Sequence, residues 1–458
     1  MLLNREVMMG KSKTQTVLWG CIAASFILAH QGFGATDEAP MTRQEFLLLQ
    51  QQNHLLQQQL QSQQQLIDSL THKVAEIQNL NSPHAADASI TKEKIQAEDP
   101  APAPESKSSL HFGKVDITGE GGLAFFNSQS KGTTPHSTFR IDEAKVFLEA
   151  PVWDDVYFFT ELDLASREST SLGLNVGELY LDFEDVSKLW GRDRMLNIRV
   201  GQFYIPFGEE YLNRFAINNP LISHSVSDLW GTDAGIELYG KIGPVQYVAA
   251  VQNGGGYPTL QDDKSISGRI SYDPAPWLHL SASGMRTGNL SVNNEMSSMW
   301  FGNGWFRSIG SAKTTTFHAN LAEGDIQLRL PYIQVKAAGG YINYGDNDSA
   351  ANNHRDVYYY YLEGVHEWNR HFYSAARFSQ VFAPNGFPLA GNGDLGEYFF
   401  APNPVLITDY WRLSLGLGYR FSPNLLVKGE YSFNHGEEVG GTGRTHENLF
   451  SVEAAFKF

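Results

Sequence analysis

From about Leu110 onward, charged side chains recur at every second position, with apolar ones between them. In 139–150, Glu143, Lys145 and Glu149 alternate with Ala144, Val146 and Leu148. Glu161 and Asp163 are spaced the same way, as are Glu178, Tyr180 and Asp182, and Arg199 stands between Ile198 and Val200. A period of two puts these groups on one face of extended strands and the apolar residues on the other. The same reasoning adds Glu237, Lys241, Arg269, Arg377, Arg412, Arg420, Lys428 and Glu430 to the charged face. Charges of both signs cannot make a dry core, because an isolated buried charge costs several kcal/mol. The face reads as the lining of a hydrated passage, with at least half of its charges paired into ladders that brace the wall.

Catalytic constellations are sparse. His366-Glu-Trp-Asn-Arg-His371 superficially resembles a zinc-protease helix, but its histidines are five apart where the motif needs four. A surface turn is the better reading. No G-x-S-x-G, P-loop or G-x-G-x-x-G in a strand–helix setting is present. The reading is therefore non-enzymatic and requires no cofactor or metal. The run Tyr358–Tyr361 could stack a sugar, but alternation turns half of it to the outer face, which favours an interfacial aromatic belt.

Sixteen candidate strands must carry the charged face, near 112–126, 137–150, 156–165, 174–184, 196–203, 233–243, 245–253, 266–273, 277–285, 313–322, 326–343, 354–366, 372–382, 405–421, 425–434 and 447–458. Short connections at Pro151–Asp155, Gly243-Pro244, Pro274-Ala-Pro276, Glu323-Gly-Asp325 and Ser422-Pro-Asn424 alternate with long ones such as Tyr204–Thr232, Arg286–Ala312 and Ala383–Pro404. Short turns at one rim and long loops at the other suit an up-and-down transmembrane β-barrel, and an even count brings both ends to the short-turn rim. Trp153, Trp190, Trp277 and Trp368 all fall in or beside short connections, as a belt at one membrane interface requires. The last strand places Phe450, Val452, Ala454, Phe456 and Phe458 on one face and Ser451, Glu453, Ala455 and Lys457 on the other. A half-buried edge strand of a soluble sandwich has the same pattern; the rest of the chain favours lipid outside it.

Ahead of the barrel, residues 1–35 read as a signal peptide, with Lys11 and Lys13 before the apolar stretch Val17–Ala29 and a start at Met1, Met8 or Met9. Within 36–80, Phe46, Leu49, Asn53, Leu56, Leu60, Gln63, Ile67, Leu70, Val74 and Ile77 follow the three-and-four spacing of a coiled coil. Such a seam predicts self-association without settling dimer against trimer. Residues 81–109, rich in Pro, Ala and Ser, read as a solvated linker.

The 458 residues carry a formal net charge of -16, which argues against nucleic acid as the main partner. Mean hydropathy is -0.31, compatible with strands that cross a membrane with one apolar face. The single cysteine, Cys21, lies in the leader, so the mature chain has no disulfide or cysteine nucleophile.

The segment Arg199-Val-Gly-Gln-Phe-Tyr-Ile-Pro-Phe-Gly-Glu-Glu210, followed by Gly231-Thr-Asp-Ala-Gly-Ile-Glu-Leu-Tyr-Gly240, resembles the phosphate-selective porin O/P family. The shared pattern is "G-x-F-x-x-P-F-x-x-E", from Gly201 to Glu210. The resemblance, over 110–458, implies a sixteen-stranded trimeric outer-membrane porin whose third loop, here about Tyr204–Thr232, folds inward. It also implies anion selectivity set by lumen bases, and here the chain departs from the family. That loop carries Arg214 as its only base, against Glu209, Glu210 and Asp228, and residues 110–458 hold 26 Lys+Arg against 39 Asp+Glu. Arg199, Arg214, Arg269 and Arg307 remain as a local anion track. The sequence thus points to an all-β, sixteen-stranded antiparallel outer-membrane barrel behind a periplasmic coiled coil. Its partners would be membrane lipid, further copies of the chain and small hydrophilic solutes, including phosphate-like or carboxylate anions. A structural or adhesive protein, tethered to peptidoglycan by the coiled coil, is the alternative.

Overall fold

The computed structural model describes residues 110–112, 114–166, 173–254, 263–291, 314–349, 353–388 and 406–458. The expected signal peptide, coiled coil and linker lie outside the described residues.

Nineteen strand segments form one sheet; three of them, Leu110–Phe112, Leu290–Ser291 and Gly443–Arg444, are only two or three residues long. The other sixteen make the wall: β1 Val115–Ser128, β2 Thr138–Trp153, β3 Val156–Ala165, β4 Asn175–Phe183, β5 Asn197–Tyr204, β6 Thr232–Ile242, β7 Val245–Gln252, β8 Ser265–Ala275, β9 Leu278–Arg286, β10 Thr316–Arg329, β11 Ile333–Asp346, β12 Arg355–Glu367, β13 Phe372–Pro388, β14 Leu406–Ser422, β15 Leu425–Glu438 and β16 Leu449–Lys457. Each pairs antiparallel with the next, and β16 returns to β1 from Leu449↔Ser128 to Lys457↔Glu120. The sheet is therefore a closed sixteen-stranded barrel with no free edge.

The strands alternate as expected, but with soluble-protein logic inverted. On β15, Lys428, Glu430, Ser432 and Asn434 are buried inside, while Phe433 is exposed outside. On β14, Arg412 and Ser414 are buried and Leu415 and Leu417 exposed. Outward apolar side chains continue round the wall, including Leu123, Leu181, Ile236, Ile270, Ile326 and Leu362. Aromatic rings concentrate at both ends of this belt. Trp153, Trp190, Trp277, Tyr332 and Trp368 are exposed at the short-turn rim, and Phe139, Tyr341, Tyr358, Tyr360 and Phe382 toward the long-loop rim. The tyrosine run splits as alternation requires: Tyr358 and Tyr360 face out, Tyr359 and Tyr361 are buried inside.

Tight turns close the first rim, with Asp155 (φ 55°) and Gly243 (φ 61°) in the left-handed region. His366 and His371 flank such a turn, where His371 N–H donates to Asn369 Oδ1 at 2.9 Å. Both barrel ends lie at this rim, Phe458 N donating to the Gly119 carbonyl at 2.8 Å.

One expected turn is wrong. Glu323-Gly-Asp325 lies within β10, where Gly324 is paired on both sides, with Ala282 and with Gly339. The hairpin closes seven residues later, at Leu330–Ile333, across Pro331. Gly and Asp are local turn signals, but a barrel strand must span the wall, and proline without an N–H ends the ladder. Glu323 and Asp325 consequently stand inside the barrel, buried.

Gly201 shows how closely the wall is packed. Its φ is 145°, and a Cβ there would collide with the Leu179 carbonyl and the Tyr180 backbone of β4. Gly201→Val is expected to destabilise the barrel by roughly 1–3 kcal/mol, as overpacking does. Equilibrium urea unfolding from detergent or vesicles would measure it.

Candidate functional site: the inward third loop and the recess beneath it

The connection between β5 and β6, residues 205–231, is the third at the long-loop rim; 205–208 and 219–229 are buried, whereas 209–215 is half-buried, with Leu212 exposed. Its entry explains the motif that begins at Gly201. Pro206 supplies no backbone donor, Phe207 is buried, and Gly208 (φ 69°) lies so close to the Glu323 carboxylate that a Cβ would clash with it. The chain thereby turns into the lumen, and Gly208 N–H donates to Ser283 Oγ on β9 at 3.0 Å.

Once inside, the loop needs partners for its own peptide groups, and the charged wall supplies them. Lys428 Nζ donates to the carbonyls of Ala216 (2.7 Å), Asn219 (3.0 Å) and Leu221 (2.7 Å) and pairs with Glu453 at 2.9 Å. Glu430 accepts from Ser223 N at 2.8 Å and also from Ile222 N and Ser223 Oγ. Arg377 donates to the Ser223 carbonyl (2.7 Å) and Asn219 Oδ1 (3.0 Å) while pairing with Glu363. Arg412 donates to Asn434 at 2.8 Å and to the His224 carbonyl at 3.4 Å. Ile205, Phe207, Val226 and Leu229 of the loop join inward residues of the wall, including Tyr344, Tyr359, Phe387 and Tyr410, in one apolar cluster. The loop thus fills the lumen along β13–β16.

Arg214 is part of this packing. It pairs with Asp228, and its guanidinium lies 4.1 Å from the Trp230 ring centroid. Burial pushes the Asp228 carboxyl up, but Arg214 and the hydrogen-bonded His224 outweigh it and hold the group below the usual carboxylate range. The stabilisation is therefore complete above the unfolded value of about 3.9 and is lost only as pH falls through the depressed folded one. Neutral and mildly acidic media leave this lock intact.

Space remains on the opposite side. A cavity of about 620 Å³ is lined by Glu178, Arg194, Arg199, Tyr204, Tyr211, Leu212, Phe215, Glu237, Tyr239, Lys241 and Arg269, among others. A smaller one of about 250 Å³ shares Leu212, Arg269 and Ser271 with it and adds Glu209, His279, Asp325, Arg329 and Lys336. Together they form a recess between the loop and β4–β11.

Of the expected lumen residues, Glu178, Arg199, Glu237, Lys241 and Arg269 line this recess. Arg199 pairs with Asp182 and Glu237 at 3.0 Å each. Arg269 holds the Gly208 carbonyl and donates to Tyr211 Oη at 3.2 Å. Glu178 accepts from Tyr204 N at 2.9 Å. Lys145, Glu161 and Asp163 form a separate cluster on β2 and β3. Arg377 and Arg412 are loop clamps rather than free pore charges, since an inward loop needs its carbonyls satisfied. Arg214 pairs with Asp228 and is not among the residues that line the recess with Arg199 and Arg269. Arg420 stands at the short-turn rim over Tyr373, 3.7 Å from Glu367, and Arg307 lies outside the described residues. Sequence reasoning missed Arg194, Arg329, Lys336, His279 and Asp325. Alternation about Val335 and Ala337 would have found Lys336; the misplaced turn hid Asp325.

No protein-family model and no curated protein matches the chain. Among solved structures, outer-membrane-expressed OmpT of Vibrio cholerae is similar at 12% identity and TM-score 0.51, over 77% of this chain and 100% of that one. The in-vitro folded form of OmpT gives 11%, 0.51, 77% and 100%. The outer membrane channel DcaP of Acinetobacter baumannii gives 13% identity and TM-score 0.49, over 75% of this chain and 97% of that one. The similarity to OmpT is one of fold.

Replacing Arg377 by Met removes the close partner of a buried pair and leaves Glu363 with Lys336 alone, at 3.9 Å. A loss of roughly 3–5 kcal/mol in urea unfolding is expected, with faster protease cleavage within 205–231.

Proposed function

We propose that the chain forms a water-filled outer-membrane channel for passive diffusion of small hydrophilic solutes, with anions, phosphate-like or carboxylate, preferred. The observation that carries this is the recess under the inward loop. Although the whole chain is acidic, the recess is lined by Arg194, Arg199, Lys241, Arg269, Arg329 and Lys336 against Glu178, Glu209, Glu237 and Asp325. A solute at the narrowed level meets this local balance, because water and salt screen charges more than about 10 Å away. The outward apolar belt with an aromatic girdle at each end supports insertion in a bilayer.

The inward turn at Pro206 and Gly208, within the motif that begins at Gly201, supports kinship with phosphate-selective porins, and the lumen pairing shifts the weight of selectivity from a ladder of free bases to the recess. We further propose export by the 1–35 leader and assembly as a homotrimer through the 46–77 seam, linked by 81–109 to the barrel.

Purified protein in planar bilayers should give stepwise conductance with a reversal potential on the anion side in a salt gradient. Arg199→Gln with Arg269→Gln should move that potential toward cations. Silent insertion would refute the channel and favour a plugged, tethering barrel. Deleting 46–77 should lower the crosslinked trimer fraction; an unchanged oligomer would remove the coiled coil from assembly.

A further inference from the structure

Beside the recess, behind Tyr204 and Phe215, the lumen wall holds a group of carboxylates built around one ammonium. Glu120 on β1, Lys145 on β2 and Asp163 on β3 are successive cross-strand neighbours. Lys145 Nζ lies 2.6 Å from Glu161, 3.5 Å from Asp163 and 3.6 Å from Glu143, and donates to Tyr204 Oη at 3.3 Å. Its charge also sits 4.6 Å from the centroid of Phe215, a residue of the inward loop. Gly177 of β4 leaves room for the Glu161 and Asp163 carboxylates where a Cβ would press on both.

The pocket has more carboxyl groups than Lys145 can pair. Glu161 is 1% exposed and Glu120 8%, and one oxygen of each, Glu161 Oε2 and Glu120 Oε1, is buried without a hydrogen-bond partner among the described residues. The other base nearby, Lys457, is the cross-strand neighbour of Glu120 and is exposed near the short-turn rim. No group of three or more acidic or histidine residues among those described is arranged to hold a metal ion. Carboxylate oxygens on one side and a ring face on the other are instead the environment of an organic ammonium.

We propose that Lys145 is a specificity-determining residue of the lumen: a tethered ammonium that fills a carboxylate–aromatic pocket which would otherwise bind primary alkylammonium solutes. The inference rests on the channel reading above. With Lys145 in place, this cation-attracting site beside the recess is occupied by the chain itself, and the lining of the recess sets the preference. Without it, Glu120, Glu161 and Asp163 have no ammonium among them, and Glu143 keeps the Ala216 N–H, at 2.8 Å.

The test is planar-bilayer recording of wild type, Lys145→Ala and Lys145→Met, with ethylammonium as the probe. Lys145→Ala should reverse the sign of the salt-gradient potential, from anion to cation preference. Ethylammonium should bind this variant, reducing its conductance in a saturable way and restoring the potential toward that of wild type. Wild type should be insensitive, and so should Lys145→Met, whose side chain fills the same space. Adding Glu161→Gln to Lys145→Ala should abolish the ethylammonium effect. If the alanine variant fails to fold, ethylammonium during refolding should raise its yield and that of Lys145→Met should not rise. An alanine variant that conducts with the wild-type potential and ignores ethylammonium overturns the proposal, as does an equal refolding response of both variants. A silent wild type would instead count against the channel itself.

Discussion

The hydrogen bonds between the buried charges of the wall and the backbone of 205–231 are the interaction on which the rest of this barrel depends. A loop that folds into a lumen takes its N–H and C=O groups away from bulk water, and each must be satisfied. Charges on an inward strand face have the complementary difficulty, needing oxygen or nitrogen partners in a crowded space. Lys428, Glu430 and Arg377 resolve both at once, because their heads meet the carbonyls and amides of Ala216 to Ser223. The loop therefore does not depend on secondary structure of its own, and the wall charges do not depend on pairing only with one another. The two halves hold each other in position.

That mutual satisfaction divides the lumen. Along β13–β16 the charges are consumed by the loop, with Lys428 and Glu430 each 2% exposed. Along β4–β11 the loop presents Tyr211, Leu212 and Phe215; apart from the Tyr211 hydroxyl, which accepts from Arg269, their rings and methyl groups offer the wall no polar partner, and there space is left. Arg269 has two roles there. It fixes the foot of the loop through the Gly208 carbonyl while lining both cavities. Loop position and recess charge are thereby linked through a single side chain.

Most of the wall was legible from the sequence because a barrel strand obeys one local rule, and that rule holds over most of the strands, broken by register shifts such as the one that leaves neighbouring Asp142 and Glu143 both inside. Strand parity, the rim of short turns and the outward faces all follow from it. The failure at Glu323-Gly-Asp325 has the opposite character: local turn chemistry competed with wall height, a non-local requirement, and lost. The site was legible only in part. Alternation correctly set Arg199, Arg269 and Arg377 inside, yet period two carries no information about which inward charge meets a loop folded back from far along the chain. Arg199 was left lining the recess and Arg377 was taken up by Asn219 and Ser223, a difference set by tertiary contact alone.

The same distinction explains why net charge was a poor guide to the interior. Acidic residues outnumber basic ones along the chain, but the acids are spread unevenly. Several caps and turns use carboxylates at the rims, as Asp155 and Asp185 do with Lys188. Others are neutralised where they stand, Glu363 by Arg377, Glu453 by Lys428 and Asp228 by Arg214. A charge paired at hydrogen-bonding distance contributes little field a few ångströms further on, whereas Lys241, exposed on the recess wall, contributes fully. What a solute meets is the remainder after pairing.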